Sequence, residues 1–440
     1  LRCVHCGSRA GKKRDNELST TECLEVVERL AQMGTREVSL IGGEAYLRHD
    51  WTTIAAAIVQ AGMECTLQSG ARNLTDTRIR EAAAAGVRAI GISIDGLGDV
   101  HDRLRGVPGS FDAAVEALGR LAKYGIAGSV NTQINKLSLG QLDDLFDLFV
   151  SLRVKNWQVQ LTVAMGRANE HPELLLQPYD MLELMPRLNA LFERGLAAGL
   201  LLQPGNNIGY FGPFEGALRG AGEESLHWDG CLAGDNVIGI EADGTVKGCP
   251  SLPTAEYAGG NVRDLPLDAI WNESAVLQSS GNRTRDDLWG FCHGCYYATV
   301  CHGGCTWTAH SLLGRAGNNP FCHHRALELQ RQGVRERIVQ AEAAPGAPFD
   351  HGRFDVVTET IDGQRICEPV ADETPRESAG EPGDLCVCRN CRRHVFPGTK
   401  DCPFCGVSIA ESSRRYAQHL GAAREAALRL KVALAELVSD

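Results

Sequence analysis

The stretch RAIGISIDGLGDVHDRLRGVPGSFDAAVEALGRLAKYGIAGSVNTQI, residues 88–134, decides the fold. Residues 88–94 are a short aliphatic run that reads as a buried strand. Residues 111–125 place apolar side chains at helical spacing and close on Gly125, and residues 128–134 read as the next strand. Strand, helix and strand in this order make a parallel βαβ unit. The same alternation extends both ways. Residues 19–34 open on the capping pair Ser19 and Glu22 and stop at Gly34, as a helix does. Strands are expected at 37–41, 64–68 and 156–161, with helices at 51–62, 74–86, 139–152 and 179–199 between and after them. The pattern predicts a parallel sheet with helices outside, closed or partly closed as a barrel, its chemistry on loops at the strand C-terminal ends. No strand precedes the loop that carries Cys3 and Cys6, so a barrel lacking its first strand, truncated at the N-terminus, is expected.

Composition narrows the function. The chain has 440 residues, a net charge of −11 and no lysine/arginine block, which disfavours nucleic-acid and anionic-membrane partners. No apolar run is long enough to cross a bilayer. Eight of the 17 cysteines fall in pairs at metal-ligand spacing: Cys3/Cys6, Cys292/Cys295, Cys388/Cys391 and Cys402/Cys405. Metal ligation in a reducing cytoplasm explains them better than disulfides do.

The densest series is CHGCYYATVCHGGC, which contributes Cys292, Cys295, Cys301 and Cys305. Cys231 and Cys249 precede it and Cys322 closes it. Thiolates at these separations, with glycines for tight turns, suit iron–sulfur clusters, and zinc would also accept them. On this series the chain resembles the SPASM-type members of the radical S-adenosylmethionine (SAM) enzymes, peptide maturases among them. The stretches IGGEAYLR (41–48), residues 93–126 and RCVHC, similar to the end of a C-x3-C-x2-C motif, carry the same resemblance over residues 1–330.

The resemblance implies an α/β fold: a partial (β/α)6 barrel over 1–205 and a cysteine-rich SPASM domain over 206–330. A linker is expected over 331–385, a zinc-ribbon-like module over 386–408 and a C-terminal helix over 409–440. It also implies a catalytic 4Fe–4S cluster on Cys3, Cys6 and a third cysteine four positions before Cys3. As given, the chain is therefore not expected to hold that cluster properly or to cleave SAM, whereas the complete protein is. Gly42, Gly43 and Glu44 would face the amino group of SAM, and Ser93, Asp95 and Arg105 would complete its site. One auxiliary 4Fe–4S cluster would use Cys292, Cys295, Cys301 and Cys322. A second would use Cys231, Cys249 and Cys305, with no fourth ligand identifiable: either a non-cysteine ligand serves, or the iron is open and could bind a substrate thiolate.

The implied function is a cytoplasmic oxidoreductase. Its 5′-deoxyadenosyl radical modifies a peptide, expected to contain cysteine, with electrons from a donor such as flavodoxin or ferredoxin. The outcome would be a cross-link, a thioether or a related oxidation. The alternatives are a small-molecule or sulfatase-type SPASM enzyme, or a non-catalytic iron–sulfur protein for electron transfer or peptide binding. Sulfatase maturases carry an acidic residue where Pro250 follows Cys249 here. No catalytic acid or base is assignable. Cys388, Cys391, Cys402 and Cys405 form two C-x2-C knuckles, expected to bind one zinc ion. Alternatively this module, with GDLCVC at 383–388, is a fused substrate-like peptide or a docking element for one. Cys23 and Cys65 read as core residues, Cys367 carries no assignment, and His101, His302, His323 and His324 read as structural.

Overall fold

Six strands pair side by side in chain order, all parallel, in a computed structural model that describes residues 1–14, 16–220, 226–366 and 385–439. They are β1 (Glu37–Leu40), β2 (Glu64–Ser69), β3 (Ala89–Ser93), β4 (Ala127–Ile134), β5 (Asn156–Leu161) and β6 (Leu201–Pro204). The register runs from Val38 opposite Cys65 to Trp157 opposite Leu202. Helices α1 (Thr20–Gln32), α2 (Trp51–Gln60), α3 (Asp76–Ala84), α4 (Gly98–Arg105), α5 (Ser110–Leu121), α6 (Leu142–Ser151) and α7 (Met181–Ala198) fill the crossovers. The capping box of α1 forms, with Ser19 and Glu22 bonding reciprocally. Ile58, Ile90, Ile92, Val130, Phe149 and Trp157 are fully buried between sheet and helices. Trp157 donates its indole N–H to Thr132 Oγ1 at 2.9 Å, so the core's largest side chain leaves no polar atom unpaired.

Two elements depart from the sequence reading. The four-residue strand β6 was not expected. And part of the segment expected as a linker, 331–385, is a long antiparallel pair, β7 (Val334–Glu342) and β8 (Arg353–Thr360). Two of its charged residues, Glu336 and Glu359, are buried in ion pairs: Glu336 with Arg325 at 2.6 Å, and Glu359 with Arg335 at 2.7 Å. These pairs make a half-buried strand look polar in sequence. Cys367 and residues 383–384 lie outside the described residues. Cys65 is fully buried and Cys23 packs against the core, as expected. The chain ends in the helix Ile409–Ser439. Among the described residues no helix is long and apolar enough to cross a membrane.

Candidate functional site

The loop bearing Cys3 and Cys6 lies at the C-terminal ends of the strands, held from several sides. Arg2 and Val4 donate backbone N–H groups to the carbonyls of Arg105 and Leu104, at 3.1 and 2.9 Å. Arg167, just beyond β5, donates from Nε to the Cys3 carbonyl (2.7 Å) and from Nη2 to that of Ala10 (3.2 Å). Arg9 pairs with Asp350 at 2.9 Å and also meets Glu170. A cluster loop needs this rigidity, because the group it holds must not wander relative to its substrate.

Beneath the loop is a buried charge cluster. Asp95, fully buried, faces Arg105 Nη2 at 2.6 Å and His5 Nε2 at 3.2 Å, and its other oxygen accepts from the Gln133 backbone at 2.8 Å. Burial opposes the carboxylate, but Arg105 and His5 outweigh it and hold Asp95 well below the ordinary carboxyl range. The backbone N–H of Asp95 donates to His101 Nδ1 at 3.1 Å. Burial pushes His101 down to about 4, so it stays a neutral acceptor. Arg105 Nη1 stands 3.7 Å from Cys3 Sγ. Arg105 thus clamps one of the chain's own carboxylates while touching the Cys3 sulfur.

The Gly42–Glu44 segment follows β1. Gly42 has φ +112°, a conformation glycine adopts without strain, and a Cβ on Gly43 would stand 3.2 Å from the Ala10 side chain. Glu44 reaches over β2, accepting from Ser69 Oγ at 2.7 Å and from the Gly70 backbone at 2.8 Å. Ser93 ends β3 opposite Asn131. The site residues expected from sequence thus gather at the mouth of one sheet. The spacing gave no hint of His5, Arg9, Arg167 and Asp350, which hold the loop.

Cys292, Cys295, Cys301 and Cys322 line one cavity, walled by Phe211, Phe291, Tyr297 and His324. Burial pushes the Cys322 thiol up to about 12 and those of Cys295 and Cys301 well above the ordinary value. A cationic metal cluster would reverse this and stabilise the thiolates. Backbone N–H groups of Tyr297 and Arg325 point at Cys295 Sγ (3.4 Å) and Cys322 Sγ (3.5 Å). Such bonds accompany cluster sulfurs. Four thiols round one cavity, that of Cys301 buried and those of Cys292, Cys295 and Cys322 half-buried, fit an iron–sulfur cluster. Cys231, Cys249 and Cys305 lie close enough to perturb one another.

The C-terminal cysteines are packed far more tightly. The sulfurs of Cys388, Cys391, Cys402 and Cys405 all lie within 4.8 Å of one another. Cys388 and Cys405 are 3.7 Å apart, and Cys391 and Cys402 3.6 Å. Four thiolates at 2.3 Å round a tetrahedral zinc ion would be about 3.8 Å apart. The donor set fits a mononuclear ion.

The loop between β7 and β8 joins these parts. Phe349 donates its N–H to the Gly7 carbonyl (3.1 Å), and Gly166 donates to the Asp350 carbonyl (2.8 Å). His351 meets Glu256 at 3.4 Å and packs edge-on against His310, whose Nδ1 shares a hydrogen bond with Tyr257 Oη at 3.0 Å.

Residues 1–148 match the family model of the Radical SAM superfamily, and residues 231–296 that of SPASM, an iron-sulfur cluster-binding domain. The chain is similar to an AdoMet-dependent heme synthase of Methanosarcina barkeri, 28% identical over 74% of this chain and 93% of that protein. It is also similar to the PqqA peptide cyclase of Rhizobium meliloti, 26% identical over 80% of this chain and 90% of that protein. Among solved structures, Streptococcus suis SuiB bound to S-adenosylmethionine shares the fold, with a TM-score of 0.57 at 16% identity over 70% of each chain.

Proposed function

We propose, from the premise that this chain belongs to the radical SAM superfamily and carries an iron–sulfur SPASM domain, that it is an oxidoreductase acting on a peptide. The observation that carries the enzyme reading is the convergence of the Cys3/Cys6 loop, Arg105 and the Gly42–Glu44 segment at one sheet mouth. When bound, the catalytic cluster supplies the electron that cleaves SAM to methionine and a 5′-deoxyadenosyl radical. This chain's residues do the rest. Cys3 and Cys6 supply thiolates, and Arg105 places positive charge beside one of them. Glu44, bonded to Ser69 and Gly70, keeps lone pairs for an ammonium group. Gly42 and Gly43 let the backbone come close.

Cys292, Cys295, Cys301 and Cys322 would hold one auxiliary 4Fe–4S cluster, and Cys231, Cys249 and Cys305 a second. Both would pass on the electron left after substrate oxidation. The C-terminal module would hold zinc. A low-potential donor such as flavodoxin or ferredoxin would supply electrons, in the cytoplasm.

The peptide reading is supported by the likeness to a peptide cyclase over most of both chains. The likeness to a heme synthase favours a second reading, a tetrapyrrole substrate. The test has two stages. Anaerobic, reduced protein with the third cysteine ligand present is expected to release 5′-deoxyadenosine from SAM. With short cysteine-containing peptides encoded beside its gene, it is then expected to give a product lighter by two hydrogens. No 5′-deoxyadenosine sinks the enzyme reading, and turnover of an iron porphyrin instead of peptide moves the substrate to the second class.

A further inference from the structure

We propose that the C-terminal four-cysteine module is a zinc-held wall of the auxiliary-cluster cavity, rather than a free ribbon or a substrate-like peptide. The inference rests on the reading above only in taking Cys292, Cys295, Cys301 and Cys322 as cluster ligands.

Three of the side chains that wall the cavity, Phe211, Tyr297 and His324, have their other faces packed on the module. Tyr297, two residues from Cys295, is stacked between Phe211 (centroids 4.0 Å, planes 15° apart) and Phe404 of the module (5.8 Å, 20°). His324, two residues from Cys322, stands edge-on to both Tyr297 and Phe404. Hydrogen bonds fix this layer. Tyr297 Oη donates to the His394 carbonyl at 2.7 Å, and the Phe396 N–H donates to Tyr296 Oη at 3.1 Å. Arg393 lies 3.7 Å over the Phe404 ring, pairs with Glu328 at 2.9 Å and contacts His324. Val395 and Phe396 are fully buried and Leu385 nearly so.

A contact layer built from stacked aromatic rings, buried apolar side chains and buried hydrogen bonds belongs to one folded unit, not to an exchangeable peptide. The module spans too few residues to build a core of its own, so it needs its ion. Phe404 lies between Cys402 and Cys405, and residues 393–396 follow Cys391 closely. Loss of the ion therefore releases the residues that back Tyr297 and His324. Water then reaches the cluster thiolates, and iron becomes accessible to chelators.

The experiment compares the anaerobically purified protein with Cys391→Ala/Cys402→Ala and with Phe404→Ala. The second variant keeps all four sulfurs and removes only the contact layer. Metal content is read by mass spectrometry. Iron release to bathophenanthroline is read by absorbance, and each reduced cluster by electron paramagnetic resonance. The wild type is expected to hold one zinc per chain. The double variant is expected to hold none and to release one cluster's iron at least tenfold faster. Phe404→Ala is expected to keep zinc and fall between the two.

The proposal is overturned by a wild type without zinc, by unchanged iron release in the zinc-free variant, or by equal acceleration for every cluster. A separate variant, Cys295→Ala, tests the reading underneath. Iron content equal to wild type there means that the cavity holds no cluster, which is a different failure from a zinc module that merely does not seal it.

Discussion

Arg105 bridges Asp95 and Cys3: one guanidinium nitrogen lies 2.6 Å from the Asp95 carboxylate and another 3.7 Å from the Cys3 sulfur. The side chain is almost fully buried, so neither contact is screened by water. Arg105→Met leaves Asp95 buried and uncompensated by its guanidinium, a loss of about 3–5 kcal/mol. Arg105→Lys keeps a charge but not the planar fork that spans both partners. The expected result is a large fall in urea midpoint for the Met variant and a smaller one for Lys. In protein with the third cysteine ligand present, both should shift the resonance spectrum of the cluster proposed at Cys3 and Cys6 and leave the auxiliary signals unchanged. A spectrum unchanged in both variants would show that the Arg105–Cys3 contact has no bearing on the cluster.

Glu44 gives a second expectation. Its two oxygens already accept from Ser69 and Gly70, which fixes the carboxylate before any ligand arrives. A charge-assisted bond to an ammonium group contributes about 1.5–3 kcal/mol, or roughly ten- to a hundredfold in affinity. Glu44→Ala is expected to weaken SAM binding by that factor in equilibrium dialysis, and Glu44→Gln by less. Equal affinity for all three proteins removes Glu44 from the cofactor site.

Why some of this was legible in the sequence and some not follows from the range of the contacts. Strands β1 to β5 alternate with amphipathic helices, and each pattern is local. The cysteine pairs Cys3/Cys6, Cys292/Cys295, Cys388/Cys391 and Cys402/Cys405 follow short spacings as well. The residues that clamp the cluster loop do not: Arg9 meets Asp350, and Arg167 reaches back to Cys3 and Ala10. Nothing near Arg167 marks it out. The hairpin β7–β8 hid for another reason. Its inward positions include Glu336 and Glu359, tolerable only because Arg325, Arg335 and Arg337 neutralise them. A strand whose buried face carries charges looks like a solvated linker until its partners are known. Strand β6, four residues long after α7, is too short for any periodicity to register.

Acid should destabilise the barrel through His101. Its ordinary value is 6.5, and burial lowers it to about 4 in the folded chain, with Asp95 only partly opposing. Between these values the unfolded chain binds a proton that the folded chain does not. Stability is therefore full above 6.5 and falls as pH drops toward 4, at about 1.4 kcal/mol per unit for this one group. His310, also lowered to about 4 by burial, adds a loss in the same direction. His101→Asn, whose Oδ1 can still accept from the Asp95 N–H, should lower stability at pH 7 yet flatten its dependence between pH 6 and 5. Urea midpoints across that range measure the slope, and a slope equal to wild type would remove His101 as its source.

Gly166 sets how close the cluster loop can sit to the end of β5. Its φ is +58°, and a Cβ there would fall 2.3 Å from the Gly7 carbonyl oxygen and 2.5 Å from that of Cys6. Both obstacles are backbone, so no side chain can swing aside. Gly166→Ala therefore carries the left-handed penalty of about 1–2 kcal/mol and also pushes the loop off the Arg167 and Asp350 contacts that hold it. Gly119, inside α5, provides the contrast, because a Cβ there would meet nothing within 4 Å. Gly119→Ala should stabilise the protein by about 0.5–1 kcal/mol through helix propensity alone. In protein with the third cysteine ligand present, the expected pair of results is a lowered melting temperature with loss of the iron proposed at the Cys3/Cys6 loop for Gly166→Ala, and a raised melting temperature with unchanged iron for Gly119→Ala. If Gly166→Ala retains its iron and its melting temperature, the loop does not rest on β5 as closely as these distances require.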